Sequence, residues 1–166
     1  MSDLRPAPGW ARSCGHARLQ HPVALDRPEP AIDRLLIAER IARYGWSYDE
    51  RDRDALAECF TPDGVWEGLL LGRDRVGPVE GREAIADFLA GFWEEQTDQR
   101  RHLFTNVVVD ELAVGTASAH AYLLLTAASG GTMTPVTTGP YRFELAREPD
   151  GAWRLARLAA GFDAPF

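Results

Sequence analysis

The chain contains no lysine. All 18 of its basic residues are arginine, set against 25 Asp and Glu, for a net charge of −7. Such an excess of acid repels a phosphate backbone instead of neutralising it, so non-specific nucleic-acid binding is not expected. An alanine- and arginine-rich, lysine-free composition also suits a high-GC bacterial gene. Cysteine is scarce: Cys14 and Cys59 form no Cys-x-x-Cys pair, and H-E-x-x-H is absent. His16 and His21 lie in a loose segment with poor spacing, so no metal centre is expected. Without a disulfide framework, Cys59 reads as a small core residue of a reduced, cytoplasmic protein, and Cys14 as a tail thiol. Neither G-x-G-x-x-G nor a P-loop occurs, so no nucleotide cofactor is implied, and there is no G-x-S-x-G elbow. No apolar run reaches the length of a signal-peptide core or the roughly 20 residues of a membrane span.

What is present fits one domain of 166 residues, 45% apolar. Pro6, Pro8, Gly9, Pro22, Pro28 and Pro30 break any period over residues 1–30, which read as a tail, disordered or wrapped on a partner. Ile32, Leu35, Leu36, Ile41, Tyr44 and Tyr48 follow helical spacing and predict a helix over 31–49, with Pro30 in its first turn and Glu39–Arg43 as a surface pair. A second helix is expected over 53–60, capped by Asp52. Thr61-Pro-Asp-Gly64 is turn chemistry, Val65 to Leu71 a strand, and Gly72 to Gly81 a loop. Ile85, Phe88, Leu89 and Phe92 place a third helix over 82–95. Residues 102–112, 116–128, 136–147 and 152–160 then read as strands, with turns at Gly130-Gly131 and Pro149-Asp-Gly151. Helices followed by strands give an α+β fold. A long twisted antiparallel sheet of this kind curls into a cone around about three helices and encloses a pocket.

Two polar residues stand out: Asp49, near the end of the first helix, and His102, at the head of a strand. A carboxylate that orients an imidazole makes a general base effective near neutral pH. Taken as residue types alone, the two also fit a helix end and a strand edge.

The run Ile41-Ala-Arg-Tyr44, Asp49, Asp52, Ala55-Leu56, Phe60-Thr-Pro-Asp-Gly64-Val-Trp66 resembles the opening of SnoaL-like proteins of the nuclear-transport-factor-two-like superfamily. The likeness continues through Gly81-Arg82-Glu83-Ala84-Ile85, His102 to Asn106, Gly139-Pro-Tyr141 and Gly151-Ala-Trp153-Arg154-Leu155. In motif the chain is most similar to the branch of scytalone dehydratase, bile-acid 7α-dehydratase and lindane dehydrochlorinase. That resemblance implies a cofactor-independent lyase or isomerase acting on a small, largely apolar, polyketide- or steroid-like substrate. His102 and Asp49 match the dyad, and Tyr44 matches a pocket tyrosine that donates to a substrate oxygen. It also allows a non-catalytic ligand-binding or assembly subunit of the same fold.

Further candidates are weighed one by one. Tyr122 and His120 share a strand face with Leu124, and Tyr141 shares one with Phe143 and Leu145; each tyrosine fits either the pocket or the core. His120 fits a second pocket base or a subunit interface. Arg157 has the strand parity of Trp153 and Leu155. On an inner face it would meet an anionic leaving group, and bonded to Asp or Glu it would be structural. Trp66 and Phe88 supply aromatic surface for a flat substrate or for the core. A homodimer or higher oligomer through the sheet face is expected, with no nucleic-acid or membrane partner.

Overall fold

The structure, a computed structural model, describes residue 9 and residues 29–165. The expected tail, with Cys14, His16 and His21, otherwise lies outside the described residues. Helix α1 (Glu29–Asp49) carries Pro30 in its first turn, where a missing N–H costs nothing. Glu39 pairs with Arg43 on its surface. Helix α2 (Arg53–Glu58) is capped by Asp52, whose carboxylate accepts from the Ala55 N–H at 2.9 Å. It ends before Phe60, which already belongs to β1 (Phe60–Leu70).

Two expectations fail in this stretch. Thr61 to Gly64 make no chain-reversing turn. They lie within β1, where the register against the last strand slips between Phe60–Leu155 and Val65–Arg157, so turn-forming residues are absorbed as a bulge. The expected loop over 72–81 contains strand β2 (Asp74–Glu80), paired antiparallel with β1. Its side chains are mostly exposed on both faces, so no apolar alternation marks it. It is an edge strand, where Pro78 is tolerated.

Helix α3 (Arg82–Gly91) runs into a single 3₁₀ turn (Phe92–Glu94). The long strands follow: β3 (Gln99–Ala113), β4 (Thr116–Ser129), β5 (Thr132–Arg147) and β6 (Trp153–Phe162). They form one six-stranded sheet in the order β2-β1-β6-β5-β4-β3. The sheet is mixed, not wholly antiparallel, because β1 joins β6 in parallel.

One face of the curved, unclosed sheet meets the helices. Leu123, Leu125, Phe143, Leu145, Leu155 and Leu158 pack there with Ile37, Ile41, Leu56 and Ile85, all buried. Full burial of such a side chain stabilises the fold by roughly 1.5–3 kcal/mol. Arg40 donates from Nε to the Trp153 carbonyl at 2.7 Å, and the Trp153 indole donates to Asp33 at 3.0 Å. Both bonds tie α1 across the sheet. Cys59 is a buried free thiol, as its apolar setting implied.

Candidate active site

Helix α1 crosses β3 at Gly45. A Cβ added there would lie 3.2 Å from His102 Cβ and 3.2 Å from Phe104 Cε2. Glycine therefore permits a close helix–strand approach, and that approach carries Asp49, the last residue of α1, to His102. Asp49 Oδ1 accepts from His102 Nδ1 at 2.6 Å, and Oδ2 accepts from the His102 backbone N–H at 2.7 Å. Both carboxylate oxygens thus hold one residue, and the two side chains are 6% and 8% exposed. Gln99 Nε2 donates to the Asp49 carbonyl at 3.0 Å, satisfying one of the orphan acceptors at the helix end. With Nδ1 as donor to the carboxylate, Nε2 carries the lone pair.

His102 lines a slot of about 320 Å³ between the helices and the sheet. That is the lower end of the roughly 300–1,000 Å³ typical of small-molecule sites. Tyr44, Tyr48, Trp66 and Tyr141 line it as well, with Leu70, Val76, Leu89, Phe92, Leu125 and Phe162 as apolar wall and Gln96 and Arg100 as further polar members. Tyr48 sits edge-on to His102, ring centres 4.8 Å apart, and its hydroxyl oxygen accepts a 3.0 Å hydrogen bond from Gln96 Nε2. Phe104 stands between Tyr44 (6.0 Å) and Tyr141 (5.2 Å).

Burial pushes the Tyr44 phenol well above its usual range, and the Trp66 indole N–H tempers that rise. Tyr141 rises through burial, reinforced by Tyr44 and Tyr48. Tyr48 also rises through burial, opposed by its bond to Gln96 and by the charge of Arg100. All three therefore remain protonated donors at neutral pH. Trp66 Nε1 is buried without a hydrogen-bond partner of normal geometry among the described residues.

The structure thus brings Asp49, His102, Tyr44, Trp66 and Tyr141 to one cavity. It places the other candidates elsewhere. Phe88 is not among the slot-lining residues and instead backs Trp66 at 5.3 Å. Tyr122 is 55% exposed on the outer face of the sheet, because the odd-numbered residues of β4 point inward. His120 shares that outer face, buried against Asp110 in a second Asp–His pair. Arg157 also faces outward: the β5–β6 register slips between Glu144–Arg157 and Leu145–Leu155, breaking its parity with Trp153 and Leu155. It bonds Glu67 at 2.8 Å, the structural alternative. Sequence reasoning missed Tyr48, Gln96 and Arg100. Two of these carried a signal, for Tyr48 lies four residues past Tyr44 on the same helix face and Arg100 has the strand parity of His102.

Among the described residues no His, Cys, Asp and Glu cluster is arranged to hold a metal ion, and no helix is long and apolar enough to cross a membrane. The model of the SnoaL-like domain matches residues 29–159. No functionally curated protein matches the chain. A solved protein from Catenulispora acidiphila, in complex with S-DNPA, is 33% identical, covering 80% of this chain and 95% of its own, with a TM-score of 0.69. An NTF2-like protein with a cystatin-like fold from Novosphingobium aromaticivorans is 26% identical (84% and 92% covered, TM-score 0.65). ActVI-ORFA from Streptomyces coelicolor, 21% identical (78% and 96% covered, TM-score 0.67), shares the fold.

Proposed function

The chain belongs to the SnoaL-like domain family, and from that premise we propose that it is a cofactor-independent lyase or isomerase in which His102 removes a proton from carbon of a small, largely apolar substrate. The observation that carries this reading is the Asp49 carboxylate, both oxygens of which bond His102 while the imidazole lines a largely apolar slot. Asp49 holds the tautomer with Nε2 unprotonated and stabilises the imidazolium formed in turnover. The phenols of Tyr44 and Tyr141 and the indole N–H of Trp66 are protonated donors in the same slot. Aimed at a substrate carbonyl, they stabilise the enolate oxygen as charge develops there. Either the enolate expels a leaving group, giving a dehydratase-type product, or it is reprotonated elsewhere, giving an isomer or a cyclised product.

The open slot reaching the dyad supports an enzyme over a non-catalytic binding or assembly subunit. The exposed apolar residues of the outer face, Leu103, Val108, Tyr122 and Leu124, favour self-association through the sheet. A buried free thiol suits a reducing cytoplasm. The test is deuterium incorporation from heavy water into the acidic carbon of small aromatic-fused ketones, followed by proton NMR. Exchange by the unaltered protein that is lost in His102→Ala and Asp49→Asn supports the reading. Equal exchange rates in all three proteins sink it.

A further inference from the structure

Among the described residues Arg100 is the one arginine lining the slot, and the dyad chemistry does not use it. It precedes His102 by two residues on β3 and shares its inward parity, so it sits one strand repeat, about 7 Å, along the sheet from the imidazole. Phe104, with Tyr141 packed against it, lies one repeat to the other side of His102. The base is thus flanked by a guanidinium in one direction and by the phenol–indole group in the other.

The Arg100 side chain is only 15% exposed, yet its one side-chain hydrogen bond among the described residues runs from Nε to Asp98 Oδ1 at 2.5 Å. A guanidinium carries five N–H donors, and a largely buried one is stabilised when its fork is filled by a planar anion. Asp98 holds the Nε edge and, among the described residues, leaves both Nη groups without a hydrogen-bond partner. Arg154, shielded to a similar degree, differs in that Glu58, Glu148 and Asp150 fill its guanidinium.

We propose that Arg100 is a substrate-binding residue for a carboxylate, so that the substrate of this site is an apolar, ring-containing acid. Its carboxylate lies about one strand repeat, about 7 Å, from the carbon that His102 deprotonates, and its carbonyl oxygen points the opposite way, toward Tyr44, Trp66 and Tyr141. This inference rests on the catalytic reading for the position of the reacting carbon, but the anion site itself is tested by binding alone.

The experiment compares 2-naphthoic acid with its neutral isostere 2-naphthamide by titration calorimetry at pH 7, using the full chain. The unaltered protein is expected to bind the acid at least about tenfold more tightly than the amide. Arg100→Gln is expected to erase that preference while leaving amide affinity within about twofold, and Arg100→Lys to restore part of it. His102→Gln is expected to keep it. Equal affinity for the two probes in the unaltered protein, no binding of either at millimolar concentration, or a preference that survives Arg100→Gln overturns the proposal. So does a preference lost in His102→Gln and kept in Arg100→Gln, which would put the anion on the imidazole. Loss of deuterium exchange with the acid preference intact would count against the catalytic reading alone.

Discussion

The sheet carries two Asp–His pairs, one on each face. On the inner face, both oxygens of Asp49 bond His102, and the ring opens onto the slot. On the outer face, Asp110 meets His120 through one oxygen, and its other oxygen is buried without a hydrogen-bond partner among the described residues. His120 is not among the residues lining the slot. The two pairs are alike in residue type and in burial, so neither property distinguishes a catalytic base from a structural contact. Among the described residues, what separates them is that His102 lines the slot and His120 does not, and that both oxygens of the carboxylate behind His102 are engaged.

The largest expected effect breaks this comparison most directly. His102→Ala or Asp49→Asn should lower turnover by about 10²- to 10⁴-fold, whereas His120→Ala should leave it within a few-fold; steady-state rates or deuterium exchange check this. Stability should respond in the opposite sense. His120→Ala strands a carboxylate whose side chain is 2% exposed, at a cost of roughly 3–5 kcal/mol by urea unfolding. Replacing both members, Asp110→Leu with His120→Leu, should recover most of that loss. If turnover falls with His120 instead, the two faces have been assigned the wrong way round.

Gly45→Ala sharpens the geometry of the inner pair. Alanine favours the helix by about 1 kcal/mol. The added methyl crowds His102 Cβ and Phe104 at 3.2 Å. The two effects should nearly cancel in thermal unfolding, while the displaced dyad loses about tenfold in rate. The smallest effects belong to the outer face. Arg157→Gln breaks a partly exposed pair with Glu67 and should cost under about 1 kcal/mol, with turnover unchanged. Tyr122→Phe, on a half-exposed tyrosine, should change neither.

The candidate site was partly legible because helical spacing over 32–48 set Tyr44 on the buried face of α1 and put Asp49 at its end. Strand parity set Tyr141 on one face with Phe143 and Leu145, the face that is buried. It misled at Tyr122, since alternation says that Tyr122, His120 and Leu124 share a face without saying which face is inner. It failed at Arg157, where a register slip of one residue moved the side chain to the other side of the sheet. Strand β2 left no periodic signal because only Val76 and Val79, three residues apart, pack partly against the core, and its order comes from the ladder to β1.

Local chemistry thus determined the helices and the long strands, since periodicity and residue type act over a few positions. Which face each strand turns inward, and that His102 comes to line the slot beside Asp49, depended on cross-strand register and on the close passage of α1 over β3. Those are contacts between segments some fifty residues apart, and a pattern read along the chain carries no term for them.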